Sequence, residues 1–145
     1  MKTQIEWQGK MRFSAVGDSG HAVVMDAGVE SGGEGQGARP TELLLNALAG
    51  CSGIDIVLIL GKMRETPSAF SLEVEGERRE TEPKSFTRIM VTYKVEGGVK
   101  AASLERAIRL SLEKYCSVSN SLRAEVHFAY ILNGNRFPEA DYLAV

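Results

Sequence analysis

The segment TELLLNALAGCSGIDIVLIL, from Thr41 to Leu60, decides how this chain folds. Its length and apolar content approach those of a membrane span, which needs about 20 mostly apolar residues. The segment nevertheless carries Glu42 and Asp55, and charged groups inside a span are costly. We therefore predict no membrane insertion but a long buried helix of a soluble protein, running from about Pro40 to Arg64.

Apolar side chains surround this predicted helix on almost every side. A helix packed on one face of a sheet needs only one apolar stripe. A short sheet and a second helix within 145 residues would leave part of its surface bare. We therefore predict a homodimer in which each subunit covers the long helix of the other. The alternative is that a glycine-rich loop and the C-terminal tail cover it.

The rest of the chain contains several strand patterns and one further helical pattern. Alternating apolar and polar residues predict strands, and apolar residues three or four apart predict a helix. By these criteria we predict strands at residues 2–7, 11–16, 21–25, 70–75, 87–95 and 125–132, and a second helix from about residue 101. Glycines between residues 28 and 38 predict a loop. Residues 1–145 are thus predicted to form one α+β domain, an antiparallel sheet with a long buried central helix.

Composition and charge restrict the functions open to the chain. A net charge of −2 argues against a nucleic-acid partner, because such binding needs a concentrated basic surface. Two cysteines are too few for a secreted disulfide scaffold. Residues 1–7 lack the apolar core of a signal peptide. We therefore expect a cytoplasmic protein, in which a cysteine pair is more often catalytic than structural.

Cys51 lies inside the predicted long helix and is the first candidate for thiol chemistry. A buried cysteine can also be only a small apolar residue, and reactivity requires a thiolate with positive charge nearby. Asp55 lies one helical turn further on, and its negative charge would disfavour the thiolate. Arg39 lies roughly 18 Å away along the helix axis, so it could reach Cys51 only across a two-fold interface. Lys10 and Arg12 are rival cations, and for all three the alternative is a solvated side chain.

Cys116 is the second candidate, at the end of the second predicted helix. The sequence Cys116-Ser117-Val118-Ser119 can begin another helical turn, with Ser117 or Ser119 as its cap. Free N–H groups at the start of such a turn would favour a thiolate. The alternative is a helix end whose hydroxyl groups only satisfy the backbone.

Metal and phosphate sites are not predicted. His21 and His127 have no ligand spacing to either cysteine, so we expect no metal and no cofactor. The glycines of residues 33–37 lack the spacing and the lysine of a phosphate-binding loop, and a flexible loop is the simpler interpretation.

Two motifs taken together resemble a known family. The first is Pro40-Thr41-Glu42-Leu43-Leu44 with Cys51 downstream, and the second is Cys116-Ser117-Val118-Ser119. This arrangement resembles the OsmC/Ohr family, which comprises osmotically inducible protein C and the organic hydroperoxide resistance proteins. The likeness extends over nearly the whole chain. Two segments are more similar to the OsmC-like branch than to the peroxidases proper, namely Arg39-Pro40 and Cys51-Ser52-Gly53-Ile54-Asp55.

The resemblance implies a thiol-dependent peroxidase, a peroxiredoxin-like oxidoreductase of oxidative-stress defence. The expected assembly is an intertwined homodimer with its active sites at the interface. Cys51 would attack an organic hydroperoxide, with hydrogen peroxide as a possible second substrate, and become a sulfenic acid. Cys116 would then form a disulfide with it, and an external dithiol would restore both thiols.

The resemblance also suggests which other residues take part. Arg39 and Glu42 are candidates for the catalytic set, and Asp55, Thr41 and Arg12 for the substrate pocket or the tuning of charge. Thr41 stands where the peroxidases usually have a glutamate that orients a catalytic arginine. An alternative function remains, a non-catalytic homodimer that binds an apolar small molecule in an interface cavity. Sulfur atoms separated by more than about 7–8 Å would favour that alternative.

Overall fold

The computed structural model describes residues 1–145, which divide into two compact units, residues 1–44 and residues 45–145. The long helix α1, Pro40–Lys62, begins in the first unit and continues in the second. It matches the predicted bounds of residues 40–64 to within two residues at its end. The prediction of one domain over the whole chain stays a prediction.

The first unit contains a three-stranded antiparallel sheet. Its strands are β1 (Thr3–Trp7), β2 (Phe13–Gly17) and β3 (Ala22–Met25), paired in the order β1-β2-β3. All three lie where the sequence predicted strands. The predicted loop follows β3 and contains a single 3-10 turn, Val29–Ser31.

Asp26 organises that glycine-rich loop from within. Its side chain is almost fully buried, and its carboxylate accepts the backbone N–H groups of Ala27, Glu34 and Gln36 at 2.8, 3.1 and 3.0 Å. The hydrogen bond from Gln36 is the largest of the effects that lower the pKa of this carboxyl group, and the charge of Arg12 acts in the same direction. The loop therefore has a fixed internal anchor, which its glycine content does not indicate.

The second unit combines the rest of α1 with a five-stranded sheet and a second helix. Its elements are β4 (Ala69–Arg78), β5 (Phe86–Glu96), α2 (Ala101–Leu110), β6 (Glu125–Leu132), β7 (Asn135–Phe137) and β8 (Leu143–Ala144). The strand order is β4-β5-β6-β7, and β8 also pairs with β6. The predicted α+β class, with two helices and antiparallel strand pairs, is confirmed.

One pairing in this sheet is parallel. β5 and β6 run side by side from Arg88 opposite Glu125 to Val95 opposite Leu132. A parallel pair needs a crossover connection of a dozen or more residues, and the segment containing α2 provides it. No strand was predicted after residues 125–132, but β7 and β8 continue the sheet beyond β6. These two strands are only three and two residues long, too short to show an alternating pattern.

One side of α1 contributes to the core of the second unit. Leu48, Ile56 and Leu60 are fully buried in one cluster with Tyr93 of β5 and Phe128 of β6. Complete burial of an aliphatic or aromatic side chain contributes about 1.5–3 kcal/mol relative to exposure. Packing on this side fixes the rotation of α1 and so determines where its polar residues point.

The opposite side of α1 is exposed. Ile54, Val57 and Leu58 retain 64%, 49% and 59% of their accessible surface, so the predicted apolar surface is present and has no cover within this unit. By length and composition alone α1 could cross a membrane, a criterion that core helices of soluble proteins also meet. The exposed apolar residues instead suggest a partner surface.

Candidate functional site

Cys51, Asp55 and Cys116 meet at one point of the second unit. Cys51 and Asp55 lie one turn apart on α1, and Cys116 lies immediately after the helical segment that extends α2. The two sulfur atoms and a carboxylate oxygen of Asp55 are all within 4.8 Å of one another. Both cysteines are free thiols. The predicted proximity of the two sulfurs, 65 residues apart in sequence, is therefore present in the structure.

A π-helical turn places Cys116 in this cluster. α2 ends at Leu110, and residues Ser111–Tyr115 continue it as a wider turn. The N–H of Cys116 donates to the carbonyl oxygen of Ser111, five residues earlier, at 2.8 Å. Single π-helical turns are rare in proteins as a whole, and many of those that occur lie at functional sites. Nothing in the local sequence distinguishes this turn from ordinary helix.

Ser111 connects the π turn to α1. Its buried hydroxyl group donates a hydrogen bond to Asp55 Oδ2 at 2.9 Å. This bond satisfies one oxygen of the carboxylate and links the helix that carries Cys51 to the segment that carries Cys116. Helical spacing predicts that Asp55 lies near Cys51, but no local signal predicts Ser111, because Ser111 is 56 residues from Asp55 in the sequence.

Cys116 is a buried thiol with a raised pKa. Burial raises its pKa to about 11, and the adjacent Cys51 side chain contributes in the same direction. The N–H groups of Ser119 and Val118 oppose this effect but do not overcome it. The Ser119 N–H lies 3.3 Å from the sulfur, as expected for N–H groups at the start of the turn. At neutral pH Cys116 is therefore protonated.

The expected side-chain cap on the turn after Cys116 is absent. The short 3-10 turn Ser119–Ser121 has no side-chain cap at its start, so the prediction that Ser117 or Ser119 caps it is wrong. The Cys116 sulfur takes the position of that cap by accepting the Ser119 N–H. Cys116 is three residues before Ser119, which is the usual spacing between a capping residue and the N–H group that its side chain accepts. Here the acceptor is a sulfur atom instead of the oxygen of a serine.

A buried tyrosine lies behind the cluster. The hydroxyl of Tyr93 on β5 donates to Ser52 Oγ at 3.0 Å, and Ser52 in turn donates to the carbonyl oxygen of Ala49 at 3.3 Å. Burial raises the pKa of Tyr93, and the hydrogen bond to Ser52 opposes this effect without overcoming it. Tyr93 lies in the predicted strand of residues 87–95, whose alternating pattern gives no indication of a polar contact 41 residues away.

Arg39 and Glu42 have local partners at the start of α1. The Arg39 side chain forms an ion pair with Glu30 at 3.0 Å, and the Arg39 backbone N–H donates to Glu42 Oε2 at 3.0 Å. Glu42 thus closes the first turn of α1, as the third-position glutamate of a capping box does. Thr41 lies between them in the same turn and is half-buried. The catalytic roles of Arg39 and Glu42 and the pocket role of Thr41 stay predictions.

The other predicted cations also have carboxylate partners. Lys10 Nζ lies 2.7 Å from Glu34, and Arg12 lies 4.0 Å from the same carboxylate. Arg12 also donates to the carbonyl oxygen of Gln8 at 3.4 Å. Because exposed ion pairs exchange readily with water, these contacts leave both cations able to find other partners. The charge-tuning role of Arg12 stays a prediction.

Two cavities border α1 in the second unit. One, of about 510 Å³, contains Asp55 and has a mixed lining of Leu58, Ile59, Lys62, Met63, Leu110 and Tyr115. The other, of about 550 Å³, lies on the exposed apolar side of the helix and is lined by Ala49, Gly50, Gly53, Ile54, Val57, Leu58, Phe70 and Leu72. The first offers small molecules a route to the Asp55 side of the cluster. The second is a groove whose lining is almost wholly apolar.

Comparison with known proteins decides the family. The sequence pattern of OsmC-like proteins matches residues 33–130, a range that includes both cysteines. The protein belongs to the OsmC-like family. The predicted resemblance to OsmC/Ohr proteins is therefore confirmed, and the family is one associated with hydroperoxide reduction.

Three individual proteins are similar to this OsmC-like protein over most of their length. It is 37% identical over 132 residues to Protein YhfA of Escherichia coli K12, covering 90% of this chain and 95% of the relative. A hypothetical protein from Aquifex aeolicus VF5 superposes with a TM-score of 0.80 at 30% identity, covering 91% and 95% of the two chains. An organic hydroperoxide resistance protein OsmC from Legionella pneumophila superposes with a TM-score of 0.63 at 20% identity, covering 91% and 96%. This last likeness concerns the fold.

Proposed function

We propose that this OsmC-like protein is a thiol-dependent peroxidase that reduces organic hydroperoxides through Cys51 and Cys116. The observation that carries the proposal is the approach of two free sulfurs, from separate parts of the chain, to within 4.8 Å. A disulfide needs about 2.05 Å between sulfurs, so side-chain rotation and a small backbone shift suffice to join them. The description of the Legionella pneumophila relative as an organic hydroperoxide resistance protein supports the same chemistry.

The proposed cycle begins at Cys51. Its thiolate attacks the terminal oxygen of the hydroperoxide, which carries the hydrogen, and the O–O bond breaks. The other oxygen leaves as an alkoxide and takes a proton from water to become an alcohol. Cys51 becomes a sulfenic acid. The Cys116 sulfur then attacks the Cys51 sulfur, and water leaves as the disulfide forms. An external dithiol exchanges with this disulfide and returns both cysteines to thiols.

The surroundings of the two sulfurs suit this division of roles. Cys51 is partly exposed, whereas Cys116 is fully buried and accepts the Ser119 N–H. A protonated Cys116 does not compete for the peroxide and is preserved as the partner for the sulfenic acid. Apolar side chains beside Asp55 in the 510 Å³ cavity would favour an organic peroxide over hydrogen peroxide.

The proposed working form is a cytoplasmic homodimer. The exposed apolar face of α1, around Ile54, Val57 and Leu58, would be covered by a second copy. Arg39 of one copy would supply the positive charge that the thiolate of Cys51 needs, with Glu42 holding the backbone of Arg39 in place. Asp55, Thr41 and Arg12 would shape the charge of the pocket.

The test is turnover of cumene hydroperoxide with dithiothreitol by wild type and two cysteine variants. Cys51→Ser should abolish turnover, because the one remaining thiol, Cys116, is buried and protonated and does not attack the peroxide. Cys116→Ser, treated with peroxide in the absence of dithiothreitol, should react once and accumulate a sulfenic acid that dimedone labels. Ser117→Ala is the matched control, since Ser117 is the exposed neighbour of Cys116. Turnover that survives in Cys51→Ser eliminates the proposal.

The groove beside α1 favours a second candidate function, binding of an apolar small molecule by a non-catalytic homodimer. Its lining is almost wholly apolar and its volume of about 550 Å³ fits a ligand of drug size. This function predicts that a fluorescent apolar probe binds wild type and Cys51→Ser equally and that neither protein consumes peroxide. Peroxide turnover by the wild type alone would decide for the peroxidase.

A further inference from the structure

We propose that Cys51, Asp55 and Cys116 also form a binding site for a thiophilic divalent cation, with Zn²⁺ as the probe. The site goes beyond the proposed peroxidase and does not depend on it, because it needs only the reduced side chains. Its starting observation is that three ligand atoms, two sulfurs and one carboxylate oxygen, lie within 4.8 Å of one another.

The spacing of the ligand atoms is close to that of a zinc site. Zinc binds sulfur at about 2.3 Å and carboxylate oxygen at about 2.0–2.2 Å in tetrahedral geometry, so its ligand atoms lie roughly 3.5–3.8 Å apart. The three atoms here need to approach by no more than about 1.3 Å to reach that spacing. A change of this size lies within the range of side-chain rotation, without movement of α1.

The donor set selects a soft cation. Two thiolates and one carboxylate suit Zn²⁺, whereas Mg²⁺ and Ca²⁺ prefer oxygen ligands throughout. Binding one Zn²⁺ releases the two thiol protons, so the dithiolate and the carboxylate together carry three negative charges against two positive ones. Three protein ligands leave a fourth position for water, which is the arrangement of an open zinc site.

The surroundings provide both an outer support and a route of entry. Ser111 donates its hydroxyl hydrogen to Asp55 Oδ2 at 2.9 Å, which leaves the second carboxylate oxygen available and orients the group. Asp55 also lines the 510 Å³ cavity, so an ion that enters this cavity meets the carboxylate of the cluster first. The histidine spacing used in the sequence analysis could not detect this site, because it has no histidine.

Occupancy would have a direct chemical consequence. A cation bound by both sulfurs holds their reactive electron pairs, so neither thiol can be alkylated or can attack a peroxide. The site exists only while both cysteines are reduced, because a disulfide removes both anionic ligands. Cation binding and peroxide reduction would thus compete for the same two atoms.

The experiment is a Zn²⁺ titration of anaerobically reduced wild-type protein in competition with a chromophoric chelator. One equivalent should bind. Cys51→Ser and Cys116→Ser should each abolish this binding, and Ser111→Ala should weaken it by about 10–100-fold, the usual cost of losing an outer support of a ligand. Asp55→Asn should weaken it by at least as much. His127→Ala is the matched control, since His127 lies near Glu125 and is a plausible weak site outside the cluster.

Two measurements on the wild type guard against variants that fail to fold. Co²⁺ in place of Zn²⁺ should give the charge-transfer absorption of thiolate ligands, and Zn²⁺ should protect both cysteines from N-ethylmaleimide. A wild type that does not compete with the chelator, or that binds Co²⁺ without thiolate absorption, overturns the site. Binding that persists in a folded Cys51→Ser variant overturns it as well. None of these readouts uses peroxide, so a negative result for the cation site leaves the proposed peroxidase activity to its own test.

Discussion

At the scale of the residue, Cys116 combines a chemical role with a contribution to stability that depends on pH. Burial holds its pKa near 11, above the ordinary thiol value of 9.0, so the folded protein favours the protonated form. The stabilising effect is complete below pH 9 and is lost as pH rises toward 11, because the unfolded chain gains stability by ionising its thiol first.

We therefore expect the wild type to lose about 2 kcal/mol more than Cys116→Ala between pH 8 and pH 10.5. The measurement is urea denaturation of both proteins under reducing conditions at each pH. Comparing the difference between the proteins at two pH values removes the pH-independent cost of the substitution. An equal loss in both proteins would mean that the Cys116 thiol is not shielded from water.

Tyr93 provides a second prediction at this scale. Tyr93→Phe removes the hydrogen bond to Ser52 while keeping the ring, so it should lower the free energy of unfolding by about 1 kcal/mol. Tyr115→Phe is the matched control, because Tyr115 is half-exposed and should change stability little. Denaturation curves that are alike for the two variants would show that the bond behind the site contributes nothing net.

The sequence predicts some residues of the site better than others. Cys51 and Cys116 stand out because they are the only thiols, and the family motifs pair them. Asp55 follows from helical spacing alone. Ser111 and Tyr93 could not be predicted, because their hydrogen bonds join positions 56 and 41 residues apart and ordinary serine and tyrosine residues give no local signal.

At the scale of the element, the start of α2 depends on Glu65, which lies three residues after the end of α1. The Glu65 carboxylate accepts the backbone N–H of Lys100 at 2.8 Å and the hydroxyl of Ser103 at 2.9 Å. The bond from Lys100 is the largest effect that lowers the pKa of Glu65. α2 has no side-chain cap of its own at Lys100, so this carboxylate replaces it.

Glu65→Gln should lower the urea midpoint at pH 7, because the amide is a weaker acceptor for both groups. Since the folded-state pKa of Glu65 is lowered, its stabilising effect is present above about pH 4.5 and is lost as pH falls further. The difference from wild type should therefore shrink below pH 4.5. Glu80→Gln, on an exposed loop, is the control and should follow the wild type. A difference that does not change with pH would contradict the capping role.

Elements with a clear periodic pattern are predictable here, and those without one are not. α1 and the strands β1 to β6 lie close to their predicted ranges, because apolar spacing extends over their whole length. The parallel pairing of β5 with β6 was not predicted, although the helix between the two strands is the connection that a parallel pair needs. The π turn at Ser111–Tyr115 has the same spacing as the helix it extends, and its difference lies only in hydrogen bonding.

At the scale of the whole molecule, the exposed apolar face of α1 predicts self-association. Large exposed apolar surfaces on soluble proteins usually mark interfaces. Leu58→Glu places a charge on this face and should shift the protein from dimer to monomer in sedimentation velocity experiments. Val29→Glu, an exposed apolar residue outside α1, is the control and should leave the dimer intact. A wild type that sediments as a monomer at every concentration contradicts the prediction.

The crossover between β5 and β6 also has a consequence during synthesis. A ribosome adds about 5–20 residues per second, so the sulfur of α1 emerges several seconds before the one that follows the π turn. β6 comes later still, and the native topology cannot close without it. Throughout that interval the nascent chain carries a solitary thiol. A Cys51 thiol that is oxidised during that interval has no second thiol in its own chain with which to form a disulfide.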